Sequence, residues 1–285
     1  MHTLTGIPVY GIGDILGYRD IADVLVLCGG SARDLPTQTP EISRYFNTVD
    51  SFDTHADIKK HFGKVDSAAR AGGKTAVISA GWDPGLFSLV RLFGAAVLQT
   101  PFTYTFWGRG LSQGHSDAVR RIDGVADARQ FTVPDEKLTD AVRAGECPVV
   151  TPEEMHRREC YVTVRGGADK EYIKNEILNM KNYYSGYETT VEFVPHETLL
   201  REYASTAHGG SVLINGKTGQ NGENRAFAEF TLKLGSNAEF TACVLLACAR
   251  AAYRFSKHGE YGCKTLCDIP PKYLLAENEN IFDYM

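Results

Sequence analysis

Apolar positions in the first hundred residues form short runs separated by stretches of helical period. Residues 24–28 are continuously apolar with β-branched members, as in a strand buried on both faces. Residues 40–46 have helical spacing, with Thr39 placed to cap them. Thr48-Val49-Asp50 reads as a second short strand. Over residues 55–71, Ile58, Phe62, Val65 and Ala69 recur on one helical face. Residues 75–79 read as a third strand and residues 84–98 as a helix. This alternation with short connections predicts right-handed crossovers and a parallel sheet.

Beyond about residue 100 the strand candidates lengthen, at 104–107, 128–132, 159–164, 189–193 and 225–234, with polar loops between them. They predict an α+β domain with a largely antiparallel sheet. Residues 240–255 have the spacing of a strong helix. The expected division is a parallel-sheet domain at 1–81, with a return near 256–285, and a second domain at 82–255.

Composition narrows the function classes. The 285 residues are 43% hydrophobic and 23% charged, which excludes a disordered or fibrous chain. A net charge of -5 without basic blocks argues against a nucleic-acid binder. The most apolar stretch, 240–253, is too short to span a membrane and contains Arg250. The first residues have no charged region followed by an apolar core, so no secretory signal is expected. The 7 cysteines are odd in number with no C-x-x-C pair, which predicts packed cytoplasmic thiols rather than disulfides or a metal site.

Ligands of open parallel sheets bind beyond the carboxyl ends of the strands. Three strand ends here run into suggestive turns: Cys28-Gly29-Gly30-Ser31, Asp50-Ser51-Phe52-Asp53, and Ser79-Ala80-Gly81-Trp82-Asp83-Pro84-Gly85. Glycines admit close backbone approach to a phosphate or ring. Asp53 and Asp83 could hold an ammonium, and one of them could accept a proton; two solvated loop acids are an equal reading. In the second domain, Trp107 could wall a pocket, with Gln113 and Gly114 supplying polar contacts, although core packing is the commoner role of such a Trp. Arg158 could clamp a carboxylate, or be an edge-strand surface charge. His115 could be a base or a structural side chain. Residues 207–210, with His208, read as a polar loop, and Asn237 as the cap of the long helix. Gly11-Ile12-Gly13-Asp14-Ile15-Leu16-Gly17 imitates a phosphate fingerprint but has the wrong spacing and no preceding strand, so it reads as a loop.

These strings resemble the NADP-dependent meso-diaminopimelate dehydrogenase family. The matches are Val26-Leu27-Cys28-Gly29-Gly30-Ser31, Thr48-Val49-Asp50-Ser51-Phe52-Asp53, Gly81-Trp82-Asp83-Pro84-Gly85, residues 105–116, Arg158-Glu159-Cys160, His208-Gly209-Gly210 and residues 232–242. They keep the family's order over nearly the whole chain. The resemblance implies a Rossmann-like α/β domain plus an α+β substrate-binding and dimerisation domain. It implies oxidative deamination of the D-centre of meso-2,6-diaminopimelate to L-2-amino-6-oxopimelate and ammonia, in lysine biosynthesis, by a cytoplasmic homodimer. By position, Asp53 and Asp83 would hold the reacting amino group, with Asp83 the candidate proton acceptor. Trp107, Gln113 and Gly114 would surround that end, while Thr132, Arg158, His208 and Asn237 would clamp the other. Cys28, Gly29, Gly30, Ser31, Ser51, Phe52, Asp53, Ala80, Gly81, Trp82, Asp83 and Pro84 would bind NADP.

One departure is expected. Family members open with a strand, a G-x-G-x-x-G turn, a helix and a second strand whose basic residues recognise the 2′-phosphate, a β–α–β piece of roughly 40 residues. The first 17 residues here instead resemble the segment around the family's third strand. The sequence as given is therefore expected to bind NADP weakly or not at all and to lose stability. Fluorescence titration with NADPH tests this, and affinity like that of a complete member would refute it. The alternative functions are a related amino-acid or imine reductase with another substrate, or a non-catalytic substrate-binding form.

Overall fold

The structure, a computed structural model, describes residues 7–181, 183–204 and 207–285; the reading of residues 1–6 lies outside them. A 3-10 turn at Ile12–Tyr18 precedes β1 (Val24–Leu27), α1 (Leu35–Ile42), β2 (Asn47–Asp50), α2 (Ile58–Gly72), β3 (Thr75–Val77) and α3 (Leu86–Val97). There follow β4 (Gln99–Trp107), β5 (Gly110–Leu111), α4 (Gln113–Arg120), β6 (Val125–Pro134), α5 (Glu136–Ala144), α6 (Pro152–Met155) and β7 (His156–Val164). Next come α7 (Lys170–Leu178), β8 (Glu188–Phe193), α8 (His196–Glu202), β9 (His208–Thr218), β10 (Asn224–Leu234), α9 (Asn237–Lys257) and β11 (Gly262–Lys264).

The chain forms two compact units, one ending at Leu89 and resuming at Thr241–Met285, the other Val90–Phe240. The boundaries fall inside α3 and α9. This differs from the expected division, which gave α9 to the second domain. The reason is burial: Leu245, Cys248, Ala251, Ala252 and Phe255 of α9 share a core with Val49, Val77 and Ala80 of the first unit.

In the first unit β1, β2, β3 and β11 lie side by side in that order, all parallel. Successive side chains of β3 face opposite sides. Val77 packs with α9, whereas Ala76 and Ile78 pack with Val65 and Ala69 of α2. Two local expectations need correction. The first helix begins at Leu35, with Pro36 in its first turn, where a missing N–H costs no helical bond. Pro40 therefore lies inside it, and Thr39 is a buried side chain rather than a cap. The Gly11–Gly17 segment is largely a 3-10 helix rather than a loop.

The second unit holds two sheets rather than one. β10, β9 and β4 form an antiparallel sheet, while β5, β6, β7 and β8 form a mixed one in which β7 and β8 run parallel. β9 is the central strand that the sequence reading missed, and residues 208–210 begin it instead of forming a polar loop. Its glycines let the strands close up: a Cβ on Gly210 would lie 2.6 Å from the Phe106 carbonyl oxygen. Asn237 is the first residue of α9 and not its cap; the N–H of Glu239 bonds instead to Ser236 Oγ (3.3 Å).

Candidate functional site

β1, β2 and β3 end at the same edge of their sheet, and a turn follows each. In the first turn Cys28 is exposed, and a Cβ on Gly29 would come within 2.7 Å of Asp34 Cβ. The Gly30 N–H donates to Asp34 Oδ2 (2.8 Å). The Asp53 N–H donates to Ser31 Oγ (3.0 Å), which ties the first turn to the second. In that second turn Ser51 is half-buried, Phe52 buried and Asp53 exposed.

The third turn is more constrained. Ser79 sits at φ +56° and the peptide before Pro84 is cis. The Leu86 and Phe87 N–H groups donate to the carbonyls of Gly81 and Trp82. Gly85 has φ +128°, and a Cβ there would lie 2.1 Å from the Gly81 oxygen, so only glycine closes this turn. Trp82 is buried edge-on to Phe87 (5.1 Å between centroids), Ala80 and Pro84 are buried, and Asp83 is half-buried. All the nucleotide-site residues expected from the sequence therefore stand in three turns at one sheet edge. Ser79 Oγ is buried with no protein partner in the third turn. The donor-rich, glycine-containing turns suit a dinucleotide.

Sequence reasoning missed Asp50 as a functional candidate. It is fully buried at the end of β2 and receives hydrogen bonds from both neighbouring turns. Its signal was a carboxylate terminating an otherwise buried strand.

In the second unit, strand register assembles the other candidates. Gly110 on β5 pairs with Thr132 on β6, Thr132 with Arg158 on β7, and Arg158 with Thr189 on β8. Residues paired directly across a sheet share a face. The missing side chain of Gly110 leaves room for His208, whose ring would be 2.3 Å from a Cβ there. Thr132, Arg158 and His208, distant in sequence, are thus brought together.

Arg158 is only 4% exposed, and β7 is an internal strand, which excludes an edge-strand surface charge. Its guanidinium donates to Thr132 Oγ1 and lies over the Tyr187 ring (4.1 Å). Among the described residues no carboxylate reaches ion-pair distance of it, and its Nε is buried without a partner. Burial pulls its pKa below the usual arginine value. Gln130, fully buried beside it, extends Nε2 to Thr132 Oγ1 (3.4 Å).

Trp107 ends β4 opposite Gly210. Its backbone N–H donates to His156 Nε2 (2.9 Å), and its indole stacks on the same imidazole (4.7 Å, 25°). Burial lowers the His156 pKa to about 4, so the ring is neutral and free to accept. Gln113 and Gly114 are exposed in the first turn of α4, where a Cβ on Gly114 would meet nothing within 4 Å. His115 is held by Ser112 Oγ (2.7 Å) and flanked edge-on by Tyr183 and Tyr184. Burial, then the Arg158 charge, lower its pKa to about 3. Asn237 stands at the start of α9, away from this strand row in sequence.

Comparison with known proteins follows this geometry. Residues 81–236 match the model of the diaminopimelic acid dehydrogenase C-terminal domain. The chain is 51% identical over 269 residues to a meso-diaminopimelate D-dehydrogenase of Acetivibrio thermocellus, covering 94% of this chain and 80% of that one. Among solved structures, the C. glutamicum DAP dehydrogenase in complex with DAP superposes with a TM-score of 0.93 at 42% identity, covering 99% of this chain and 87% of that one. An engineered D-amino acid dehydrogenase bound to NADP+ gives 0.90 at 40% identity, covering 99% and 87%. The α/β fold class is that of these relatives.

Proposed function

The chain belongs to the meso-diaminopimelate D-dehydrogenase family, and on that premise we propose that it oxidises the D-centre of meso-2,6-diaminopimelate with NADP+. The products are L-2-amino-6-oxopimelate and ammonia, in lysine biosynthesis. NADP+ supplies the hydride acceptor, and residues 28–31, 51–53 and 80–84 would hold it.

The remaining roles fall to the protein. Asp53 and Asp83 attract the reacting ammonium, which must lose a proton before its carbon can yield a hydride; Asp83 is the acceptor. Trp107, with its plane fixed by His156, walls the reacting end, and Gln113 and Gly114 offer polar contacts to it. Water then attacks the imine carbon and ammonia leaves. Thr132, Arg158, His208 and Asn237 read the second amino-acid group.

The observation that carries this reading is the buried Arg158 with no carboxylate partner. A guanidinium in such a place is matched by a ligand carboxylate, and Thr132 beside it supplies a hydroxyl. A site whose buried donors require both ends rejects molecules lacking one. The test is a comparison of meso-diaminopimelate with D-amino acids that lack the second amino-acid group, following NADPH absorbance. Equal kcat/KM for the two classes would sink the assignment.

Assembly and location complete the proposal. Leu92, Phe93 and Val97 on α3 are exposed and apolar, a face suited to a homodimer. Among the described residues no cysteine forms a disulfide, which fits the cytoplasm, and no helix is long and apolar enough to cross a membrane.

A further inference from the structure

We propose that Asp50 is a positioning residue: its buried carboxylate, oriented by Thr39 and His61, sets the two turns that carry Asp53 and Asp83. This rests on the reading of those turns as parts of the active site.

Four elements converge on this side chain. Oδ2 accepts from Thr39 Oγ1 on α1 (2.8 Å) and from His61 Nε2 on α2 (2.9 Å). Oδ1 accepts from the Phe52 N–H in the turn after β2 (3.0 Å) and from the Ser79 N–H in the turn after β3 (3.0 Å). The Asp50 carbonyl accepts from the Ala80 N–H (2.9 Å). Asp50 is fully buried, so these protein donors stand where water would otherwise solvate the carboxylate.

The division of labour between the two oxygens is the point. Side chains hold one oxygen, and backbone N–H groups of both turns hang from the other. Phe52 immediately precedes Asp53. Ser79, at φ +56°, opens the segment leading to Asp83, and a non-glycine residue adopts that left-handed conformation at an energetic cost. The bond to Oδ1 is what offsets it. His61 is itself fixed, its ring stacked on Phe52 (4.1 Å, 17°). An ionised carboxylate presents only acceptors, so it can serve all four donors. The near-isosteric Asn cannot, because its NH2 would face two of them.

The test uses the full chain. Asp50→Asn is expected to raise KM for NADP+ and to lower kcat for meso-diaminopimelate, each about 10-fold or more. Hydrogen exchange should quicken at the Phe52, Ser79 and Ala80 amides while the remaining strands keep their protection. Loss of active molecules alone, with kcat reduced, both KM values unchanged and exchange raised throughout, would overturn the proposal. Thr39→Val and His61→Phe keep Asp50 and carry the test should Asp50→Asn not fold. Each removes one donor to Oδ2, and a 2- to 5-fold rise in KM for NADP+ is expected, whereas parental kinetics in both overturns the proposal. Asp53→Asn and Asp83→Asn separate it from the underlying reading. Full activity in that pair defeats the reading itself. Loss in that pair beside parental kinetics in Asp50→Asn defeats the positioning role alone.

Discussion

A guanidinium without an ion-paired carboxylate is an expensive thing to bury, and Arg158 is such a residue. Its direct contacts are Thr132 and the Tyr187 ring, neither of which carries a compensating charge, and the Glu153 carboxylate acts on it only from beyond ion-pair distance. Arg158→Met should therefore raise the melting temperature of the ligand-free protein. The same change should lower kcat/KM for meso-diaminopimelate by roughly 10- to 150-fold, the value of a charged hydrogen bond of about 1.5–3 kcal/mol. Calorimetry and steady-state kinetics on one sample check both halves. His156 gives a second prediction. Its pKa is about 4 in the fold, against about 6.5 when unfolded. The unfolded chain binds the extra proton between those values, so this contribution is complete above about pH 6.5 and is lost as pH falls toward 4. About 3 kcal/mol is at stake, at roughly 1.4 kcal/mol per pH unit. Urea midpoints measured from pH 7 to pH 4 should show the decline, and His156→Gln should flatten it. Arg158 was legible in the sequence as a candidate, but its burial was not. His156 and Asp50 were missed as functional candidates, because their meaning lies in Trp107, Ser79 and other partners far along the chain, although a carboxylate ending a buried strand was a signal for Asp50.

Elements explain why the candidates that were legible meet. Register alone places Gly110, Thr132 and Arg158 in line across three strands, with His208 filling the space over Gly110. Gly110→Ala should leave the fold intact but push the His208 ring aside, raising KM for meso-diaminopimelate several-fold with little change in kcat. A normal far-ultraviolet circular dichroism spectrum beside an unaltered KM would refute this. Strand-and-helix alternation up to residue 98 could be read from apolar period, since buried parallel strands are continuous runs. The misreadings have physical causes. Pro40 reads as a helix start, yet α1 begins five residues earlier at Leu35 and carries Pro40 in its interior. β9 hid because His208, Gly209 and Gly210 resemble a turn, and the buried Asn215 interrupts its apolar run. The Nδ2 of that Asn donates to the Val142 carbonyl (2.9 Å), a partner no local pattern could reveal.

At the scale of the whole molecule, the exposed face of α3 is the feature to test. Leu92→Glu combined with Phe93→Glu should give a monomer by light scattering, at little cost to monomer stability, because both side chains are already in water. An unchanged dimeric mass would exclude α3 from the proposed interface. The discontinuous first unit has a different consequence, one for biosynthesis. The second unit is an uninterrupted stretch, Val90–Phe240, whereas the first needs residues from both of its segments. β3 has its neighbour β11 only once Gly262–Lys264 exist, and the apolar face of Val77 waits for α9. Domains usually fold in the order in which the ribosome makes them. Here the order should invert, with the segment translated in the middle acquiring protease resistance while the earlier one is still waiting for its last strand. Nascent chains of increasing length, probed by limited proteolysis, should show the middle fragment protected first. During that interval the apolar strands of the first unit are a client surface for chaperones, so the yield of this enzyme in a cell should depend on how quickly its final segment, Thr241–Met285, is translated.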